Sequence, residues 1–234
     1  MGIPAYENIP EEEITQERYT NDGRSYTLDH PEELTAEMQY KGCGESNANS
    51  QGWERNGNDF FKELKGNHPE YFSEENSQRI DSGKAPIVDD QFAQHFPQYG
   101  DYMDDKLIHH HIGGGSTAAA VPEGYHPGYG GIHNDEKTSG IRASEEDFSA
   151  KVKGLDEAGC PVRGKTRPEI EQIMKERQAT EGKPTGGESG CGAIGDDIIA
   201  KDNAAGGGKD PSKTTAGQTT PQTTPNNNNE GQGM

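Results

Sequence analysis

Five of the eight histidines in this 234-residue chain lie in one short segment, residues 109–133. Three of them are consecutive, His109, His110 and His111, and His126 and His133 follow. Imidazole can act as a general base, a proton donor or a metal ligand near neutral pH. The segment therefore predicts acid–base chemistry, metal binding or both.

The elements around these histidines must position them. Residues 106–112 are predicted to form a strand that ends in three glycines, and residues 117–121 could return antiparallel to it. Side chains alternate along a strand, so His109 and His111 should face one side and His110 the other. One imidazole could then face a metal while its neighbour faces a water molecule.

This arrangement suits hydrolysis of a phosphodiester bond. That reaction needs a base to activate water and a cation to neutralise the scissile phosphate and the leaving oxygen. His126 and His133 could complete the metal shell. Pro127 and the glycines at 128, 130 and 131 interrupt any regular helix between these two histidines.

Short helices are predicted on both sides of the histidine segment. Residues 58–65 suit a helix closed by Gly66, and Ser73 suits the start of a helix over residues 74–80. A third helix should begin after Val88, capped by Asp89 or Asp90. Further on, a capping box at residues 166–169 predicts a helix that runs to about Gln178 and packs on the domain or binds a partner.

Only 27% of the residues are hydrophobic, below the usual share for a globular chain. Most of the large apolar residues lie in one central stretch, which limits the predicted core to that region.

The chain is predicted to divide into four parts. They are an acidic irregular leader (1–52), a folded α+β domain (53–143), a linker with a short amphipathic helix (144–180), and a disordered tail rich in Gly, Thr, Pro and Asn (181–234).

The formal net charge is −19. Such a surface should repel phosphate backbones and anionic membranes unless a bound cation reverses the charge locally. The chain has no apolar stretch of membrane-spanning length and no basic region followed by an apolar run at its start. No membrane partner and no Sec signal are therefore expected, and the location is predicted to be cytoplasmic or reached by a specialised secretion route.

Three sequence stretches resemble the HNH/Endonuclease VII superfamily of His-Me finger nucleases, in the form found as toxin domains of bacterial polymorphic toxins. They are Leu107-Ile-His-His-His-Ile-Gly-Gly-Gly115, Val121-Pro-Glu-Gly-Tyr-His126 and Gly130-Gly-Ile-His-Asn-Asp-Glu-Lys137. The resemblance covers about residues 55–142. It implies a small ββα-metal domain with a helical lead-in that cuts DNA, or RNA, as a toxin-type effector with an immunity protein as partner.

The same resemblance implies roles for individual residues. His110 is expected to be the general base, with His111 as the alternative, and His109, His126 and His133 are expected to bind a divalent Mg, Mn, Ni or Zn ion. Two further groups, Asn134 and Glu136, would orient an imidazole or support the metal. The glycine turn at residues 113–115 would let the backbone approach a phosphate closely.

Two other function classes fit the same residues. One is a non-catalytic, acidic, metal-binding interaction protein derived from a nuclease fold, and the other is a hydrolase that acts on something other than nucleic acid. The three remaining histidines, His30, His68 and His95, have no acid or cysteine partner in a recognisable motif, so they are expected to be loop or surface residues.

Overall fold

A computed structural model describes residues 2–126 and 131–181 of the chain. The tail predicted for residues 181–234 lies outside the described residues apart from its first position, which ends a helix. Residues 127–130, between His126 and the next helix, also lie outside them.

The acidic N-terminal segment is part of the folded core, contrary to the irregular leader predicted there. It contains one helix and three short strands: α1 (Glu11–Thr15), β1 (Arg18–Tyr19), β2 (Ser25–Tyr26) and β3 (Thr35–Glu37). Leu28 and Leu34 are fully buried in the main apolar cluster. The segment has few apolar residues, but their side chains point inward, so low hydrophobic content did not prevent burial.

Two of the three central helices begin where their capping residues predict, and the first continues through Gly66, which is predicted to close it. The three helices are α2 (Gly57–Asn67), α3 (Glu74–Asp81) and α4 (Asp90–His95). Ser73 Oγ accepts a hydrogen bond from the backbone N–H of Asn76 at 3.1 Å, and Asp89 Oδ1 accepts one from Phe92 at 2.9 Å. These caps satisfy N–H groups that have no partner inside the helix, which fixes both helix starts.

The predicted hairpin around the glycine run is confirmed as β4 (Leu107–His111) and β5 (Thr117–Pro122). The strands are antiparallel, and His110 lies opposite Ala119. Every residue of β5 is buried because this strand lies at the centre of a three-stranded sheet, in the order β3, β5, β4.

Three helices follow the sheet: α5 (Ile132–Thr138), α6 (Ile141–Glu157) and α7 (Arg167–Glu181). The predicted linker thus contains a 17-residue helix, α6. Val152 and Leu155 of α6 form a second apolar cluster with Tyr40 and Trp53, and Ile170 of α7 completes it. Helix α7 therefore packs on the domain, one of the two outcomes predicted for it.

The described residues combine helices with small antiparallel sheets, which confirms the predicted α+β class. The order β4, β5, α5 is two antiparallel strands followed by a helix, and it brings the histidine segment together in space. Among the helices described, not one has the length and apolar character needed to cross a bilayer.

Candidate metal and catalytic centre

Four side chains from three places in the chain meet beside the sheet. His110 comes from β4, His126 follows the turn after β5, and His133 and Glu136 come from α5. The ring of His110 lies 5.4 Å from that of His126 and 5.0 Å from that of His133, measured between centroids. The fold therefore assembles a site from residues separated by up to 26 positions.

His110 and Glu136 form the buried half of this site. His110 Nε2 lies 2.7 Å from Glu136 Oε1, and both side chains are almost completely shielded from solvent. The other ring nitrogen, His110 Nδ1, is buried and has no hydrogen-bond partner among the described residues. A carboxylate only accepts, so Nε2 carries the hydrogen in this pair and Nδ1 carries a lone pair.

His126 and His133 form the more exposed half. Their Nε2 atoms lie 2.5 Å apart, and His133 Nδ1 lies 3.6 Å from Glu136 Oε2. Two imidazole lone pairs cannot face each other at this distance, so one ring donates a hydrogen to the other in this arrangement. Together with one nitrogen of His110 their ligand atoms lie within 4.8 Å of one another. Imidazole nitrogens are good ligands for divalent transition ions, so these residues fit such an ion.

The protonation states suit cation binding. Burial, reinforced by His110 and His133, lowers the pKa of His126 to about 4, so its ring is neutral near pH 7. Burial alone would raise the pKa of Glu136, but its interaction with His110 and its hydrogen bonds outweigh burial and hold the pKa of this carboxyl well below its ordinary range. The site therefore presents a neutral imidazole at His126 and an ionised carboxylate at Glu136.

His109 and His111 lie on the opposite face of β4. The His109 ring packs 4.8 Å from that of Phe60, and His111 Nδ1 and Nε2 lie 2.7 Å and 3.1 Å from the carbonyl oxygens of Gly115 and Glu54. The structure does not bring His109 to His126 and His133, so the predicted ligand set is corrected at this position. The cause is the alternation of side chains along the strand.

The glycine turn after β4 faces the protein interior, contrary to the predicted approach to a phosphate. Gly113 and Gly114 adopt φ of 59° and 78°, a left-handed conformation that favours glycine. Gln51 Nε2 donates to Gly113 O and Asn49 Nδ2 donates to Gly114 O, each at 2.9 Å. The turn is therefore held from within, and the Gly113 amide contributes to the low pKa of Glu136.

The two residues expected to support the site differ in position. Glu136 is buried and touches both His110 and His133. Asn134 is exposed on α5, and its side chain makes no hydrogen bond with any described residue. Glu136 alone therefore has the position that the predicted supporting role requires.

His30 is a member of this neighbourhood that the sequence did not predict. It is only 4% exposed, its ring lies 6.0 Å from that of His110, and its ligand atom lies within 4.8 Å of those of His110 and Glu136. A weak signal was present: Tyr26, Leu28 and His30 alternate along the chain, and all three are buried. The same pattern would have placed His30 on the inner side.

Residues 32–134 match the family model described as an HNH/Endo VII superfamily nuclease toxin with a HHH motif. This range contains the three consecutive histidines together with His126 and His133, and it excludes His30 and Glu136. Searches of curated proteins and of solved structures find no match to the chain.

Proposed function

We propose that the domain matched at residues 32–134 by the model of the HNH/Endo VII superfamily of nuclease toxins is a metal-dependent endonuclease that hydrolyses phosphodiester bonds of DNA or RNA. The observation that carries the proposal is the convergence of His126 and His133 beside the buried pair of His110 and Glu136. It supplies metal ligands and a base in one place, as this chemistry requires.

We assign His126 and His133 as the metal ligands and His110 as the general base. When bound, a divalent cation would neutralise charge on the scissile phosphate and on the leaving oxygen. Glu136 accepts the hydrogen of His110 Nε2, which leaves the lone pair of Nδ1 to take a proton from water. The water oxygen then bonds to phosphorus as the bond to the leaving oxygen breaks.

The ligand chemistry favours particular metals. Imidazole nitrogens suit zinc and nickel, whereas magnesium prefers oxygen ligands and water. The two ligands assigned here are both imidazoles, and the nearest carboxylate, Glu136, is engaged with His110. We therefore propose zinc or nickel ahead of magnesium or manganese.

The acidity of the chain makes the metal important for binding as well as for chemistry. A net charge of −19 opposes the approach of a polyphosphate. A divalent ion held at His126 and His133 would place positive charge where the substrate must come closest. Removal of the metal should therefore weaken nucleic-acid binding in addition to stopping hydrolysis.

The direct test is cleavage of plasmid DNA and of single-stranded RNA by metal-stripped protein supplied in turn with Mg, Mn, Ni or Zn. Cleavage is expected with at least one of these ions and should disappear on chelation. His126→Ala and His133→Ala should each lose bound metal and activity. His95→Ala removes an exposed histidine whose ring contacts Tyr71 and Phe96, and it is the control. Absence of cleavage with every ion would overturn the proposal.

A second candidate is a metal-binding interaction protein that kept the fold without the chemistry. The observation that favours it is the strongly acidic composition, which is unusual for a chain that must hold nucleic acid. Stoichiometric metal binding without turnover of DNA or RNA would support this candidate.

The family description also bears on partners and destination. A nuclease toxin endangers the cell that makes it, so we propose that an immunity protein binds the chain there and that the chain is delivered to a target cell. Co-expression with the product of a small adjacent gene tests this. Relief of growth inhibition together with a stable complex is the expected result.

A further inference from the structure

A second group of metal-ligand side chains lies behind the first. His30, His110 and Glu136 are all buried, and their ligand atoms lie within 4.8 Å of one another. His30 comes from the N-terminal segment, two residues before the range matched by the family model. The match therefore does not account for this residue.

The spacing of the three side chains suits one shared ion. His110 Nε2 and Glu136 Oε1 lie 2.7 Å apart in the interior, and the ring of His30, 4% exposed, lies 6.0 Å from the ring of His110 and makes no hydrogen bond with a described residue. Two ligand atoms of one zinc ion, each about 2.0–2.2 Å from the metal, can lie this close together. An ion could therefore replace the hydrogen between His110 and Glu136 and take a lone pair from His30.

The chemical types of these three side chains indicate which species would bind between them. Two imidazoles and one carboxylate are the protein ligands of a well-known class of zinc site. Glu136 supplies the negative charge that a buried divalent ion needs, because an unpaired charge in the interior is strongly unfavourable.

We propose that His30, His110 and Glu136 form a second, inner position for a divalent transition ion, separate from the outer position at His126 and His133. Loading of the inner position replaces the hydrogen of His110 Nε2 by an ion shared with Glu136. If His110 is the general base, as proposed above, a cation on Nε2 lowers the basicity of Nδ1, which withdraws the base and stops hydrolysis. Only this consequence rests on the proposed function, whereas the inner position rests on the geometry.

The test counts zinc on the full chain. Metal-stripped protein is loaded with Zn²⁺, passed through gel filtration and analysed for zinc per chain by atomic emission. Wild type is expected to retain two ions, His30→Leu one and the control His95→Leu two. Wild type that retains a single ion would overturn the proposal, as would a folded His30→Leu that still retains two.

A measurement on wild type guards against a variant that does not fold. In a zinc titration followed by ¹⁵N NMR of the histidine rings, the His133 resonances should shift with one equivalent of zinc and the His30 resonances with the other. His30 resonances that stay unchanged through two equivalents would contradict the inner position. Neither experiment depends on turnover, so the inner position can stand even where the nuclease proposal fails.

The regulatory consequence has its own readout. Cleavage by wild type should rise to a maximum near one equivalent of zinc and fall by at least tenfold as the second equivalent binds. Activity that stays at its maximum when two ions are bound would overturn the claim that the inner ion withdraws the base.

Discussion

His110 and Glu136 are paired across the interior, with Nε2 and Oε1 2.7 Å apart and both side chains hidden from solvent. Glu136 lies three residues after His133 on α5, so one helix face supplies both a proposed metal ligand and the partner of the proposed base. The position of α5 against the sheet thus determines the geometry of the whole site.

Glu136→Gln tests this pairing. Glutamine keeps the shape of the side chain but removes the charge that holds the His110 ring, so we expect the cleavage rate and the metal affinity to fall about 10- to 100-fold. Single-turnover cleavage and metal titration measure the two effects separately. Glu123→Gln alters an exposed carboxylate near His126 and should behave as wild type. Unchanged rate and affinity in Glu136→Gln would contradict the role given to the pair.

Gly115→Ala tests the packing behind the glycine turn. A methyl group at this position would overlap the Glu145 carboxylate, which is buried against Arg167 with Oε1 and Nη1 2.7 Å apart. We expect a loss of about 1–3 kcal/mol in the free energy of unfolding, measured by chemical denaturation. Gly66→Ala is the matched control: the added methyl meets open space near the end of α2, and the change should be neutral or stabilising. Equal stability of the two variants would argue against the packing described.

Alkaline pH should unfold the chain through its tyrosines. The rings of Tyr26, Tyr99 and Tyr102 lie 5.0, 5.7 and 4.6 Å from the ring of Tyr125. Burial raises the pKa of Tyr102 to about 12 and that of Tyr125 further above its ordinary value. A folded-state pKa above the unfolded value means that stability is complete below about pH 10 and is lost as pH rises through 10 toward 12.

Absorbance of tyrosinate and circular dichroism, recorded together across this range, measure the effect. The buried tyrosines should ionise only as the chain unfolds, and Tyr125→Phe should move the unfolding midpoint to higher pH. Ionisation of all nine tyrosines near pH 10 with the fold intact would contradict the prediction.

Truncation tests the contribution of the N-terminal segment and of α6. A fragment of residues 53–143 lacks β3 and the part of α6 that packs on Trp53. We expect no cooperative thermal transition from this fragment, whereas residues 2–181 should unfold cooperatively. A cooperative transition in the short fragment would show that the central segment folds alone.

The sequence predicts the elements whose signals are local. Ser73 and Asp89 each cap a helix that begins at the next residue, so the starts of α3 and α4 can be predicted from the sequence. The glycine run after His111 likewise marks the turn of the hairpin. The α+β class and the approach of His126 and His133 to His110 follow from the same segment together with the family resemblance.

Elements that depend on distant partners could not be predicted in this way. Strand β3 pairs with β5 through Glu37 and Thr117, 80 residues apart, and a three-residue strand has little pattern of its own. The buried face of α6 includes Glu145 and Ser149, whose partners Arg167 and Trp53 lie in other segments. Polar residues on a buried face hide the apolar periodicity, so the sequence pattern predicts a linker there.

The candidate site shows the same limit. Strand alternation correctly separates His110 from His109 and His111, but it does not tell which face meets His126 and His133. The buried position of Glu136 decides that question. The motif around the histidine segment does not include His30, because its neighbours His110 and Glu136 lie far along the chain.

The most direct test of the account compares cleavage rates and bound metal in His110→Ala and His109→Ala. These neighbours lie on opposite faces of β4, so the two variants differ only in which face loses an imidazole. His110→Ala should lose activity by about 100-fold or more while the metal at His126 and His133 stays bound. His109→Ala should keep both metal and a rate within a few-fold of wild type. Equal rates in the two variants, or a larger loss in His109→Ala, would contradict the assignment of His110 as the base.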